Sequence, residues 1–273
     1  MSGAGAGQRD ADGGSTVYGR LADALRSDRP VALVSVIDGA HVGERFLVEA
    51  DGTAFGHLGD DDLHRVVLRD AFGELVAGRS GVRHYGEHGE TGLEAVTVFV
   101  ESFAPAPHMV VFGAVDFTAA LVRVAKVIGY RVTVCDARQA FATTQRFPQA
   151  DRVVVGWPGQ LLEAIGAQLG PRDAVCVLTH DLRFDVPALT GALATDVGYI
   201  GAMGSRRTHE ARKAHLVEAG VTPDELGSIH APIGLDLGAR TPEETAISIC
   251  AEIIAARSGR SAGALSASEG PIH

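Results

Sequence analysis

Cysteine is scarce in this 273-residue chain, with Cys135, Cys176 and Cys250 the three present. Each lies inside an apolar run, with no Cys-x-x-Cys pair and no zinc-type spacing. That excludes a disulfide framework and a cysteine metal centre, and leaves core thiols of a cytoplasmic protein as the expectation. Basic charge is also short: 24 Lys and Arg against 34 Asp and Glu give a formal charge of -10. A broad basic face for nucleic acid or anionic membrane is thereby excluded, and any anionic ligand needs a local cluster of donors. No apolar run approaches the roughly 20 residues of a membrane span, and the first residues lack the basic-then-apolar order of a signal peptide. A Walker loop, a nucleophile elbow and a His-Glu-x-x-His signature are absent too.

What is present centres on residues 108 to 138. Met109 to Phe112 is a short apolar run closed by Gly113, and Phe117, Leu121, Val124, Ala125 and Ile128 recur at helical spacing until Gly129. Val132 to Cys135 then reads as a second buried strand ending on Asp136. Strand, glycine turn, helix, strand and terminal acid form the opening βαβ unit of a Rossmann-type domain. The alternation continues with strands at Val153–Val155, Ala174–Leu178 and Val197–Ile200, and helices at Gln160–Leu169 and Ala188–Ala194. A helix follows Arg207, and a last one opens at Thr241-Pro242-Glu243-Glu244, an N-cap, a first-turn proline and a capping-box glutamate. Such alternation implies a parallel sheet.

Before this lies a smaller unit. Residues 1–15 are small and polar and are expected to be disordered. A helix is expected at Val17 to Leu25, with strands at Val31–Ile37, Glu44–Ala50 and Leu93–Val100. Asp60, Asp61 and Asp62 precede a helix through Leu63, Val66, Val67, Ala71 and Leu75; they read as helix-start acids, or, with His57 and His64 nearby, as metal ligands. The fold class is thus α/β, a C-terminal Rossmann-like doubly wound parallel sheet (108–257) joined by a proline linker (104–107) to an N-terminal α+β domain (16–103), with a disordered tail (258–273).

In an open parallel sheet, ligands bind beyond the carboxyl ends of the strands where strand order reverses. The loops Gly113–Asp116, Thr179–Asp181 and Gly201–Arg207 should converge there, with Gly234–Arg240 as a fourth wall. The candidate cofactor-binding residues are Gly113, Asp136, Thr179, His180, Asp181, Gly204, Ser205, Arg206, Arg207, Asp236 and Arg240. Dinucleotide binding is disfavoured, because Val115 and Thr118 stand where glycines approach a pyrophosphate, and Asp116, read as the helix cap, would repel it. Asp136 nevertheless stands where a ribose-binding acid would. The turn at Gly204–Arg207 is the better anion seat, since arginines at a helix N-terminus oppose the macrodipole unless an anion offsets them; its bland alternative is a solvated first turn. His180 reads as a general acid or base beside Asp181, or as a helix-start residue.

The phrases Phe112-Gly-Ala, Gly129-Tyr-Arg-Val-Thr-Val-Cys-Asp-Ala-Arg138, Leu178-Thr-His-Asp181, Tyr199-Ile-Gly-Ala-Met-Gly-Ser-Arg-Arg207 and Ile233-Gly-Leu-Asp-Leu-Gly-Ala-Arg-Thr-Pro-Glu-Glu244 resemble, in wording and order, the xanthine dehydrogenase accessory factor family, XdhC/CoxI. The resemblance implies a chaperone that holds the molybdenum cofactor (molybdopterin), supports its sulfuration with a cysteine desulfurase and passes it to a molybdenum hydroxylase apoenzyme of the xanthine or carbon monoxide dehydrogenase type. It also implies a homodimer. Family members carry a cysteine followed two residues later by glutamate in the N-terminal domain; Asp62 and His64 stand there in this chain, and the Ser-x-Pro-Arg turn is replaced around Gly39–Gly43. A nucleotide-dependent oxidoreductase and an interaction module that has lost its ligand are the alternatives.

Overall fold

A computed structural model describes residues 16–267, apart from the Arg206 side chain. The chain divides between Pro105 and Ala106 into two compact units. The first contains α1 (Val17–Arg26), β1 (Val31–Gly39), β2 (Arg45–Glu49), β3 (Ala54–Gly56), α2 (Asp61–Ala77), β4 (Gly81–Tyr85) and β5 (Val96–Phe103). Its sheet is antiparallel, in the order β3-β2-β1-β5-β4. Central β1 is apolar at consecutive positions because both faces are covered. Ala32, Val34 and Val36 pack with Leu63, Val67, Ala71 and Leu75 of α2, whereas Val31 and Leu33 pack with Ala24 of α1. Each fully buried Val or Leu contributes roughly 1.5–3 kcal/mol. Asp60 caps α2 by accepting the Leu63 N–H at 2.8 Å, with Asp61 and Asp62 in the first turn. The acidic run is therefore a helix start.

The second unit holds β6 (His108–Phe112), α3 (Asp116–Val127), β7 (Arg131–Asp136), β8 (Arg152–Val155), α4 (Pro158–Ile165), β9 (Ala174–Val177), α5 (Leu182–Leu193), β10 (Tyr199–Ala202), α6 (Arg206–Glu218), α7 (Pro223–Gly227), β11 (Ile229–His230) and α8 (Pro242–Ser258). These strands form one parallel sheet in the order β11-β10-β9-β6-β7-β8. Renumbered within the unit, that is the doubly wound order 3-2-1-4-5-6, which reverses between β6 and β9. Alternation along β6 sorts the layers: Met109 and Val111 pack with α3 and α8, and Val110 and Phe112 with α4 and α5.

Several boundaries differ from expectation. β5 begins at Val96 rather than Leu93 and extends through Phe103; β10 runs Tyr199–Ala202, so Gly201 lies in the strand. α5 starts at Leu182, six residues before Ala188, because Pro187 is carried inside the helix. Asp116 does not cap α3: the N-cap is Val115, which makes no side-chain capping bond, and Asp116 is the first helical residue. Of the tail expected to be disordered (258–273), Ser258 closes α8 and Leu265–Ala267 forms a 3-10 turn; residues 1–15 and 268–273 lie outside the described residues.

One buried network fixes the loops that follow β9 and β10. Thr179 Oγ1 donates to Asp185 Oδ1, while Asp185 Oδ2 accepts from Arg212 Nε at 3.1 Å and Nη2 at 2.7 Å. Arg212 Nη2 also donates to the Met203 carbonyl at 2.8 Å. The side chains of Arg212 and Asp185 are 1% and 0% exposed, so the pair is fully desolvated and each charge depends on the other.

Arg212→Met should therefore lower stability by about 3–5 kcal/mol in urea unfolding, whereas Arg183→Ala, at a side chain 82% exposed, should change it by less than about 0.5 kcal/mol. Equal effects would show that the buried pair is not the brace. Because the second unit has its own core, a fragment of residues 108–257 is expected to melt in one cooperative transition by circular dichroism; a gradual, featureless melt would show that the first unit is needed.

Candidate functional site

The β6 turn is built by close approach. Gly113 has φ +112°, and a Cβ there would lie 2.6 Å from Thr179 Cγ2 and 3.2 Å from Thr179 N. Glycine is thus required where the chains leaving β6 and β9 meet. The next amide, Ala114 N–H, donates to Asp136 Oδ2 at 2.7 Å. Asp136 Oδ2 also accepts from Arg138 Nη2 at 2.7 Å, and Oδ1 accepts from Arg138 N and Nε, both at 2.9 Å. A carboxylate offers about four acceptor positions, and all are engaged. Burial pushes the Asp136 carboxyl up, but the hydrogen bonds from Arg138 and Ala114 outweigh it and hold its pKa below the usual value. Arg146 closes the turn from outside, donating to the Ala114 carbonyl at 3.0 Å and pairing with Asp116 at 3.3 Å.

Beyond β9, Asp181 is the N-cap of α5, accepting the Arg183 N–H at 3.0 Å. The Arg183 guanidinium grips the same carboxylate, at 3.1 Å and 2.8 Å. The Arg183 side chain and then its backbone amide hold the Asp181 carboxyl low, at about 2; it is charged throughout the physiological range. His180 is exposed beside it. Beyond β8, Trp157 occupies the N-cap position of α4, held extended before Pro158. Its ring lies 5.7 Å from Phe184, which in turn meets Phe112 of the core at 6.3 Å.

These loops enclose a cavity of about 510 Å³, with Asp136, Arg138, Trp157, Thr179, His180 and Asp181 among its walls. That size suits a small-molecule site. Four of the expected residues, Asp136, Thr179, His180 and Asp181, meet in one crevice, and Gly113 packs against Thr179. Ser205, Arg207, Asp236 and Arg240 are not in its lining; Arg206 has its side chain outside the described residues. The walls follow β9, β6, β7 and β8, so the crevice opens toward β7 and away from β10. Ser205 caps α6, accepting the Thr208 N–H at 3.2 Å, with Gly204 before it at φ +145° and Arg207 exposed. Asp236 and Arg240 are exposed in a loop anchored to α8 through Gly234 N–H and Glu252, at 2.7 Å.

Arg138, Trp157, Arg183 and Phe184 line the crevice without having been singled out from the sequence. Trp157 carried a signal: it is the chain's single tryptophan and directly precedes a proline after a strand. Arg138 and Arg183 each stand two residues beyond an aspartate, the spacing at which both close back onto it.

The first unit contains no thiol. At the positions expected to replace the family's cysteine and glutamate, Asp62 pairs with Arg65 at 3.1 Å. The His64 ring meets those of Phe46 at 4.6 Å and His57 at 4.1 Å, both tilted. Burial, then the adjacent His57, lower the His64 pKa. Among the described residues no group of three or more His, Cys, Asp and Glu could hold a metal ion, and no helix is long and apolar enough to cross a membrane. The three cysteines are free and buried, and burial pushes the Cys135 and Cys250 thiols up to about 12. They are poor nucleophiles at neutral pH.

Comparison with known proteins agrees with this architecture. A Bacillus subtilis protein described as a probable xanthine dehydrogenase component is 29% identical over 240 residues, covering 88% of this chain and 64% of that protein. The molybdenum cofactor insertion chaperone PaoD of Escherichia coli is 38% identical over 91 residues, covering 33% of this chain and 29% of that one. A solved structure described as a xanthine dehydrogenase from Bacillus halodurans superposes with a TM-score of 0.61 at 26% identity, over 88% of this chain and 66% of that one. The chain thus spans less than two thirds of each of these relatives. The XdhC Rossmann domain model matches residues 109–253 and the XdhC and CoxI family model residues 24–86, and the chain belongs to the XdhC and CoxI family.

Proposed function

We propose that this chain is a maturation factor that binds the molybdenum cofactor, supports its sulfuration and inserts it into a molybdenum hydroxylase apoenzyme of the xanthine or carbon monoxide dehydrogenase type. The observation that carries the reading is the crevice between β6 and β9, a Rossmann ligand site whose dinucleotide fittings are engaged elsewhere. Ala114 N–H and all four Asp136 acceptor positions are taken up internally, and Asp116 stands at the start of α3. A pyrophosphate finds a carboxylate there in place of a free amide, and NAD(P) is not the proposed ligand.

The residues present fit the organic part of the cofactor. Trp157, Thr179, His180 and Asp181 offer a flat ring and polar groups in one cavity, and the cofactor would bring molybdenum and its dithiolene sulfurs. No thiol of this chain is available to the metal, since all three are buried. The sulfur is therefore assigned to a partner cysteine desulfurase, and the chain's own task is to hold and orient the pterin. Gly204, Ser205, Arg206 and Arg207 are proposed as the seat of the phosphate, supported by the α6 N-terminus and by the Thr179, Asp185, Arg212 and Met203 chain that ties this turn to the crevice. Asp236 and Arg240 are proposed as its outer wall. A cytoplasmic location is supported by the free thiols, and a homodimer by exposed Val127, Ile247 and Ile254 on the paired helices α3 and α8.

Protein purified from cells competent in cofactor synthesis should release a fluorescent oxidised pterin on acid treatment. Arg207→Ala should weaken cofactor retention about ten- to a hundredfold, as expected for one charge-assisted hydrogen bond, with no loss of melting temperature because the macrodipole is relieved. Absence of pterin from the wild-type protein contradicts the carrier reading and favours an interaction module without ligand. Unchanged retention with a lowered melting temperature contradicts the phosphate seat alone.

A further inference from the structure

Trp157 is the chain's single tryptophan, and it is 49% exposed at the wall of the crevice. Its orientation is fixed from two sides. Pro158 holds its backbone extended at the helix start, and Phe184 holds its ring from 5.7 Å away, itself set against core Phe112. An indole so braced, half-exposed and at the wall of a cavity, is a ready stacking platform: little side-chain freedom remains to be lost when a flat ring settles on it.

Asp181 belongs to the same crevice. Its Oδ1 accepts from Arg183 N and Nε, but its Oδ2 accepts a single hydrogen bond, from Arg183 Nη2. One acceptor position on Oδ2 is therefore open, and the side chain is 50% exposed, so a ligand can reach it. The contrast with Asp136, also in the crevice but 2% exposed and fully engaged, leaves Asp181 as the carboxylate able to read a ligand edge.

We propose that the crevice seats a planar heterocycle bearing adjacent ring N–H and amino donors, the 2-aminopyrimidinone edge shared by pterins and guanines, with its face on Trp157 and its donor edge on Asp181. That the natural ligand is the pterin rests on the carrier reading above. The amino group donates to the open position on Oδ2, the two-oxygen face being held by Arg183, and the neighbouring ring N–H sets a second positive edge beside the same oxygen. Adenine sets a ring nitrogen lone pair beside its single amino donor, and that lone pair faces the same negative oxygen. The crevice thus selects by ring chemistry as well as by its closed pyrophosphate turn.

Titration calorimetry of the full chain with phosphate-free pterin, guanosine and adenosine tests this. Pterin and guanosine should bind, with adenosine at least about tenfold weaker. Trp157→Ala should lower pterin affinity about ten- to a hundredfold, the range of one ring stacked on an aromatic side chain, and Trp157→Phe should retain most of it. Asp181→Asn keeps the α5 cap, so the fold is preserved, yet it should weaken pterin about tenfold or more and erase the preference over adenosine. Wild-type affinity for pterin in Trp157→Ala, adenosine binding as tight as pterin, or no pterin binding at all would each overturn the proposal. If acid releases a co-purified pterin while Trp157→Ala still binds free pterin normally, the platform falls and the carrier reading stands. If free pterin and guanosine bind as described while no pterin co-purifies, the ring seat stands and the carrier reading falls.

Discussion

The carboxylate of Asp136 sits at the end of β7 with every acceptor position filled, and the shape of the crevice follows from that. Ala114 N–H reaches it from the turn after β6, and the whole Arg138 side chain folds back onto it. A buried anion without these partners would cost several kcal/mol. Held this way it ties the first two strands of the wind together at their carboxyl ends. The same bonds engage the Ala114 amide that a diphosphate would use, so the interaction that stabilises the domain is also the one on which the proposed exclusion of dinucleotides rests.

A second buried charge pair acts across the sheet. Asp185 and Arg212 connect Thr179, which Gly113 allows to approach the β6 turn, with the Met203 carbonyl before α6. The two networks meet at the contact between Gly113 and Thr179. Between them, the loops after β6, β7 and β9 are held by hydrogen bonds to buried carboxylates, the loop after β10 by the Arg212 guanidinium donating to the Met203 carbonyl, and the loop after β8 by aromatic packing of Trp157 on Phe184. The crevice is consequently pre-formed, and the proposed binding groups, Trp157 and Asp181, sit at the N-caps of helices, where backbone position is well defined.

Much of the fold was legible because the parallel strands are buried on both faces and read as unbroken apolar runs; Met109–Phe112 and Ala174–Val177 are cases in point. Strands β3 and β4 were not legible, being edge strands with exposed side chains such as those of Ala54 and His84. Pro187 concealed the first half of α5, since a proline in a helix interior usually ends it. Leu93 drew the start of β5 too early; it is apolar but 54% exposed in the preceding loop. For the site, the sequence brought together the loops after β6 and β9, which do meet, but it added the loop after β10 and missed the loop after β8. The turn after β10 carries glycine, serine and arginine and attracted attention, yet strand order sets it on the far side of β9, while Trp157 after β8 lies within the crevice. Composition marks a ligand loop, but strand order decides where it points.

The central claim is that the switch-point crevice of this Rossmann unit is closed to dinucleotides and open to a single flat heterocycle. Titration calorimetry of the purified chain with NAD and NADP tests it most directly. The geometry around Ala114, Asp116 and Asp136 predicts no saturable heat with either nucleotide. Micromolar binding of NAD or NADP, strengthened further by Asp116→Gly, would show that the pyrophosphate seat is intact and would contradict the account.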